Sequence, residues 1–212
     1  MTNKIQEANL AMVVSKTFSG LNVNALRYLL PLWIAPLTGV TFRCVFAAVA
    51  FWIIGYWAKP ETASVKDKIY LFLLGAVGIY GYMFSYLMGL SKTTPVSAAI
   101  FTSMQPIWVF ILSVFFFNEK ATVMKIVGIL VGLGGALLCI STQKSDDLAS
   151  DAFSGNLFCL VSSVIYAVYL ILSNRFLKRT GPYTLMRYTF SGAAVSSLIV
   201  MACLLYTSDA AD

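Results

Sequence analysis

The sequence predicts an all-α, polytopic membrane protein whose helices form a bundle across a lipid bilayer. Of its 212 residues, 59% are hydrophobic and only 11% are charged, against roughly 25% charged residues in an ordinary soluble domain. The apolar residues are grouped in long stretches, and an α-helix needs about 20 mostly apolar residues to cross about 30 Å of hydrocarbon. Composition and stretch length therefore predict the same fold class.

Seven apolar stretches reach this length, and short polar segments that carry most of the charge separate them. Each stretch is expected to be helical, because a helix satisfies its own backbone hydrogen bonds where no water is present. The predicted spans cover residues 6–30, 34–57, 69–90, 95–117, 123–141, 154–177 and 185–202.

The first span is unusually polar from Ser15 to Asn24. This polarity favours a water-filled cavity or a helix that is broken at Gly20. Lys16 lies on the same helical stripe as Gly20, with Asn24 nearby, whereas Asn22 is expected to point elsewhere. Lys16 and Asn24 are therefore candidate substrate-binding residues.

The second span contains Arg43, the cation that lies deepest in any predicted span. A buried cation needs water, a partner or a ligand, so an intramembrane arginine is a functional hypothesis by default. Gly39 and Ala47 share its helical face and leave room beside the guanidinium. Arg43 either attracts an anionic substrate in a cavity or is a structural arginine that binds carbonyls or extends outward.

The third span contributes tyrosines, and Tyr80 and Tyr86 are its candidate substrate-binding residues. Aromatic hydroxyls can orient a ligand, although tyrosines near span ends are commonly interfacial anchors. Tyr82 and Ser85 lie on the same span and offer further hydroxyl groups.

In the fourth span, Thr102 and Gln105 project together because they are three residues apart. Pro106 follows and is expected to kink the helix, which frees a backbone carbonyl toward a cavity. Gln105 is the best neutral substrate-binding candidate, and hydrogen bonding between helices is its alternative role.

The fifth span carries Gly128, Gly132 and Gly135 along one side, and we expect these small residues to serve helix packing. Glu119 precedes this span. It is expected to be structural, either capping the next helix or pairing with Lys120.

The sixth and seventh spans follow the longest internal polar stretch, residues 142–151, which we take as a boundary. With five spans before it, a second unit begins on the opposite side of the membrane, as in the inverted repeats of secondary transporters. We therefore assign residues 1–142 to a first repeat and residues 143–202 to the start of a second repeat.

The distribution of basic residues predicts the orientation, because cytoplasmic loops carry the excess of lysine and arginine. Two basic residues, Lys92 and Lys144, fall on one side. Ten fall on the other side: Lys4, Lys59, Lys66, Lys68, Lys120, Lys125, Arg175, Lys178, Arg179 and Arg187. The amino terminus is therefore predicted to be cytoplasmic, and the protein is predicted to be a multi-pass protein of the cell (inner) membrane.

Several classes of partner and cofactor are not expected. The net charge is +6, but the basic residues lie between spans rather than on one face, so no nucleic acid is predicted to bind. The chain has no histidine, and its four cysteines show no paired spacing, so neither a metal site nor a disulfide scaffold is expected. No cofactor is predicted.

Short motifs are distributed along the whole chain in a recognisable order. They are Ser19-Gly20-Leu21-Asn22, Arg27, Pro36, Arg43, Ser97-Ala98-Ala99, Gln105-Pro106, Asn118-Glu119, Gly128, Gly135, Gly155-Asn156 and Tyr166-Ala167. In order and spacing this chain resembles the drug/metabolite transporter superfamily, in its EamA-type branch, over about residues 10–200. The resemblance implies ten spans in two inverted five-span repeats and movement of small metabolites, often outward.

The last ten residues, 203–212, resemble the translation of a transposon-end sequencing adapter, and such scars are excluded from fold reasoning. We expect this segment not to be native and the chain to be truncated at its carboxyl terminus, with seven of ten spans present. A natural polar tail is the alternative.

The predicted function is secondary transport of a small metabolite by alternating access, and the resemblance implies export as its direction. The expected partners are a small-molecule substrate and the lipid bilayer, together with a second copy in a homodimer if only seven spans exist. One alternative is an intramembrane enzyme, but paired carboxylates, a metal set or an activated nucleophile are not visible, so no catalytic residue is assigned. The other is a non-transporting membrane assembly partner or fragment.

Overall fold

The computed structural model describes residues 2–30, 32–58, 61–117, 122–142 and 151–209, and these residues form helices with short connections and no strand. Seven helices follow one another, one at each predicted span. They are α1 (Thr2–Leu29), α2 (Pro36–Trp57), α3 (Val65–Lys92), α4 (Pro95–Ser103 and Gln105–Phe117), α5 (Val123–Thr142), α6 (Ala152–Thr180) and α7 (Pro182–Asp209). The predicted fold class, an all-α polytopic helix bundle, is confirmed.

Among the described residues, five helices are long and apolar enough to cross a membrane: α2, α3, α4, α6 and α7. The apolar part of α5 is shorter, Val123–Gly135. The first helix is not among the five, and its sequence is the most polar of the seven. Most described side chains of α1 and α5 are exposed, so these two helices lie at the periphery.

The centre of the bundle is α3, which packs against both α6 and α7. The backbones of α3 and α7 approach each other closely. A Cβ atom at Gly75 would overlap the carbonyl of Thr189, and a Cβ atom at Gly192 would overlap the carbonyl of Phe72. Small residues allow such approach between membrane helices. A single π-helical turn, Gly75–Ile79, lies at this contact.

The two ends of the bundle are defined by contacts between loops and helix starts. At one end, the Thr93 hydroxyl donates a hydrogen bond to Asn156 Oδ1 (2.7 Å), so the α3–α4 turn lies beside the start of α6. At the other end, the Glu61 carboxylate accepts hydrogen bonds from the backbone N–H groups of Tyr183 (3.3 Å) and Thr184 (2.6 Å). We call these the Thr93 end and the Gly181 end, because Gly181 (φ +83°) forms the α6–α7 turn.

The helix α4 is interrupted at Met104, two residues before Pro106. The predicted packing glycines of α5 differ in their surroundings. A Cβ atom at Gly132 would lie 3.6 Å from Ile107 Cδ1, whereas Gly128 and Gly135 have nothing within 4 Å among the described residues. The predicted stripe therefore contacts α4 at one position only, and Glu119 lies outside the described residues.

Candidate functional site

A cavity of about 590 Å³ lies between α1, α2, α3 and α4. We call it the first cavity. Its wall combines basic, amide and hydroxyl groups with tyrosine rings and a few apolar side chains. The polar and aromatic lining residues are Ser15, Lys16, Phe18, Ser19, Asn22, Arg43, Tyr82, Tyr86, Thr102, Ser103 and Gln105.

Five of the seven substrate-binding candidates from the sequence come together in this cavity: Lys16, Arg43, Tyr86, Thr102 and Gln105. They lie on four different helices, and the predicted structural residue Pro106 also lines the wall. Their sequence separations range up to 89 residues between Lys16 and Gln105, so only the packing of the helices brings them together.

The first cavity extends from the Thr93 end toward the middle of the bundle. Arg43 lies seven residues after Pro36, which places it about 10 Å along α2 from that end. Gln105 lies ten residues after Pro95, about 15 Å along α4. Both residues therefore lie within their helices, about two turns or more from the Thr93 end, rather than in the loops.

The two cations of the cavity, Lys16 and Arg43, have no carboxylate partner among the described residues. Arg43 Nη1 donates to the neutral amide oxygen of Asn22 (3.3 Å), and the described wall contains no acidic residue. The single ion pair of the described chain, Arg179 with Asp67 (3.7 Å), lies elsewhere. Among the described residues, the wall thus carries positive charge that no acidic side chain in the cavity compensates.

Arg27 is a structural arginine that binds backbone carbonyls, which is the alternative role that the sequence left open for Arg43. Its Nη1 donates to the backbone carbonyls of Leu90 (3.0 Å) and Ser91 (3.1 Å), the last turn of α3. Those carbonyls have no partner within their own helix, and a cation also stabilises a helix carboxyl end. Arg43, in contrast, contacts an amide on the cavity wall, which leaves its charge facing the cavity.

The structure places Asn24 and Tyr80 outside the cavity. Asn24 Nδ2 donates to the carbonyl of Gly20 on its own helix (3.1 Å), and its side chain is exposed. The Tyr80 ring stacks on Phe84, with ring centroids 6.0 Å apart, and packs against the buried core rather than the cavity. Neither residue is retained as part of the candidate site.

The expectation that Asn22 points away from the site is wrong. The cavity-facing side of α1 is not centred on the line through Lys16 and Gly20, and Arg27 near the end of the helix turns toward α3. The lining residues of α1 run from Ser15 to Val23 and centre on Ser19. Because α1 turns the side around Ser19 toward the cavity, Asn22 lies in the wall and Asn24 lies outside it.

Tyr82 was not selected as a candidate from the sequence, yet it lines the cavity beside Tyr86, with ring centroids 6.1 Å apart. The spacing of four residues places both rings on one helical face, and this signal was available in the sequence. Gln105 lies close enough to interact with the Tyr82 hydroxyl. Tyr82 therefore joins the site through both its ring and its hydroxyl group.

No group of three histidine, cysteine or acidic residues that could hold a metal ion occurs within the described ranges. The residues that meet in the first cavity are suited to non-covalent recognition: two cations, an amide and several hydroxyl groups around aromatic rings. Such a site can bind a ligand that carries both an anionic group and a flat apolar group.

Comparison with known proteins gives one family. The sequence profile of the EamA-like transporter family matches residues 6–141. An uncharacterized transporter of Bacillus subtilis (strain 168), YyaM, is 27% identical over 186 residues, which cover 86% of this chain and 61% of the relative. The aromatic amino acid exporter YddG of Ancylobacter novellus is 26% identical over 125 residues, which cover 58% of this chain and 43% of the exporter.

A solved crystal structure also shares the fold. It aligns with 89% of this chain and 67% of its own chain, with a TM-score of 0.54 and 22% sequence identity. An uncharacterized transporter of Archaeoglobus fulgidus is 26% identical over 176 residues and is covered to 60%. The chain thus spans about three fifths of the length of the first curated relatives that it matches.

Proposed function

The chain belongs to the EamA-like transporter family, and on that premise we propose that it exports a small organic anion by alternating access at the first cavity. It is a multi-pass membrane protein, and its relatives are named as transporters rather than enzymes. The observation that carries the proposal is the pair of cations, Lys16 and Arg43, in a cavity whose described wall has no acidic residue.

Charge balance favours an anionic substrate. A cation at the centre of a membrane helix costs about 2.5–3.5 kcal/mol on insertion scales, and the cost falls when a partner or water meets the charge. An anion that enters the cavity offsets part of this cost for both Lys16 and Arg43. A cationic substrate would meet repulsion from both residues and no compensating carboxylate among the described wall residues.

The aromatic wall favours a substrate that also has a flat apolar part. The rings of Tyr82 and Tyr86 offer faces and edges for offset or edge-to-face contacts. A volume of about 590 Å³ lies within the range of small-molecule sites. The name of one relative, an aromatic amino acid exporter, supports both the aromatic group and the outward direction.

A panel of three related compounds tests whether the protein prefers an anionic substrate. The probes are 3-phenylpropionate, which is an anion, L-phenylalanine, which is a zwitterion, and phenethylamine, which is a cation. Binding is measured by the thermal shift of the purified natural full-length protein, and flux is measured in vesicles. We expect 3-phenylpropionate to bind, L-phenylalanine to bind equally or more weakly, and phenethylamine not to bind.

Variants of Arg43 link this selectivity to the cavity. Arg43→Gln should weaken binding of 3-phenylpropionate at least about tenfold, which corresponds to about 1.4 kcal/mol. Arg43→Lys keeps the charge and should retain most of the affinity. Preference for phenethylamine, or unchanged binding and flux by a folded Arg43→Gln protein, contradicts the proposal.

A further inference from the structure

A second cavity, of about 670 Å³, lies between α4, α6 and α7. It is closer to the Gly181 end than the first cavity is. Lys178 in its wall is two residues before the end of α6, and Leu185 and Met186 belong to the first turns of α7. The two cavities therefore occupy opposite halves of the bundle.

The second cavity offers the same kinds of chemical group as the first. Lys178 supplies a cation, Asn174 supplies an amide, and Ser113 supplies a hydroxyl group. Tyr166 and Tyr169 supply aromatic rings, as Tyr82 and Tyr86 do in the first cavity. No acidic residue lines the described wall here either.

A row of four tyrosine rings runs from the wall of the first cavity to the wall of the second. Tyr82, in the wall of the first cavity, contacts Tyr166, in the wall of the second, with ring centroids only 4.5 Å apart. The row continues to Tyr86 on one side (6.1 Å) and to Tyr169 on the other (5.9 Å), and both of these outer contacts are stacked. The outer two side chains are anchored, since Tyr86 is 6% and Tyr169 is 3% exposed.

We propose that the second cavity is a second binding station for the same organic anion and that the Tyr82–Tyr166 pair is the partition between the two stations. This inference rests on the proposed function, because it takes the substrate class from the first cavity. A ring contact between two helices can open by rotation of side chains or by a small shift of α6 against α3. No backbone hydrogen bond has to break, so the pair suits a barrier that opens during each cycle.

Thiol labelling tests the partition without any substrate. Ser103→Cys reports the first cavity and Met186→Cys reports the second, each in a full-length background whose native cysteines are replaced by alanine. A charged, membrane-impermeant maleimide is added to right-side-out vesicles and to inverted vesicles. We expect the two variants to be labelled from opposite sides of the membrane.

If either tyrosine ring is removed, each reporter should no longer be labelled from one side of the membrane only. With Tyr82→Ala or Tyr166→Ala added singly, the Ser103→Cys variant should be labelled from both sides, at rates that differ less than twofold. Tyr82→Phe and Tyr166→Phe keep the rings and should retain one-sided labelling. Tyr82→Ala and Tyr166→Ala are tested separately, so the partition can be judged even if only one of the two variants folds. Labelling of both reporters from the same side, or unchanged sidedness in a folded alanine variant, overturns the partition.

Protection by 3-phenylpropionate tests the second station. The probe should slow labelling of both reporters several-fold. Lys178→Gln should remove the protection of the Met186→Cys variant only, and Arg43→Gln should remove that of the Ser103→Cys variant only. Protection of the first reporter alone overturns the second station. Absence of protection at both reporters overturns both the proposed function and the second station. The partition is tested independently, by the side of the membrane from which each reporter is labelled.

Discussion

At the scale of single residues, Arg27 and Arg43 make different kinds of contact in the same bundle. Both lie within predicted spans, and nothing in the local sequence separates their roles. The structure does so by contact: Arg27 binds two backbone carbonyls of α3, whereas Arg43 binds a side-chain amide on a cavity wall. The first contact is suited to stabilising the fold, and we propose that the second leaves the charge of Arg43 available to a ligand.

This difference predicts that two matched substitutions affect different properties, namely folding stability for Arg27 and ligand binding for Arg43. Arg27→Gln removes a charged donor from the carbonyls of Leu90 and Ser91, so we expect it to lower stability by about 1–3 kcal/mol. Arg43→Gln should change thermal stability much less and should reduce binding of 3-phenylpropionate. Thermal denaturation and a binding titration on both purified variants distinguish the roles, and equal losses of stability would contradict the assignment.

Asp151 predicts a pH dependence outside the membrane-spanning segments. It caps α6 and accepts a hydrogen bond from the backbone N–H of Ser154 (3.1 Å). Hydrogen bonds from the Ser154 hydroxyl, and then from its backbone N–H, lower the pKa of Asp151 below its usual value of 3.8. Because the folded pKa is the lower one, this stabilisation is present above pH 3.8 and is lost as the pH falls through the folded pKa.

Asp151→Asn is the matched variant, since asparagine is an equally good cap but does not titrate. Thermal denaturation in detergent between about pH 6 and pH 3 should show a smaller acid loss in the Asn variant than in the wild type. Identical pH profiles would mean that the Asp151 cap contributes nothing to folding stability.

At the scale of helices, the contact between α3 and α7 depends on the absence of two side chains. A Cβ atom at Gly75 or Gly192 would overlap a backbone carbonyl, and a backbone group cannot turn aside as a flexible side chain can. The same contact joins the third span to the seventh, which belong to different proposed repeats. Packing of the two proposed units against each other is therefore decided at these glycines.

We expect Gly192→Ala to destabilise the protein by at least about 1–3 kcal/mol, because the overlap forces the two helices apart. Gly134→Ala on α5 is the control, since no heavy atom lies within 4 Å of its Cβ position among the described residues. Both variants are compared by thermal denaturation and by yield in the membrane. A stable Gly192→Ala protein would show that α3 and α7 do not approach this closely.

At the scale of the whole molecule, the two ends of the bundle give the predicted orientation a concrete test. The Gly181 end carries the α2–α3 loop and the α6–α7 turn, which Glu61 joins. The sequence assigns this end to the cytoplasm because basic residues surround both segments. We therefore expect Thr62→Cys to be labelled from the cytoplasmic side and Ala152→Cys from the opposite side, and the reverse pattern would refute the orientation.

The length of the natural protein is a second prediction at this scale. The chain spans 61% of one curated relative and 60% of another, and the resemblance implies three further spans. We expect genomic sequence to continue after the codon for Ala202 into three more apolar stretches, without the residues 203–212. A stop codon after the same ten residues would leave a seven-span chain, for which a homodimer is the expected assembly.

The sequence by itself determined the fold class and the position of the helices along the chain. Each predicted span contains a helix, because hydrophobic length and backbone hydrogen bonding are local requirements that the residues of one segment satisfy alone. It also selected Arg43, Thr102 and Gln105, which share the first cavity, because polar residues in apolar spans stand out without knowledge of their neighbours.

Only the tertiary structure decided which face of each helix meets the cavity. It replaced Asn24 by Asn22 and Tyr80 by Tyr82, and it brought Tyr82 against Tyr166, which is 84 residues away in the sequence. The rotation of a membrane helix about its axis is not set by its own hydrophobicity, since lipid and neighbouring helices are both apolar. It is set by contacts such as Gly75 with Thr189 and Arg27 with Leu90, and these exist only once the helices have packed.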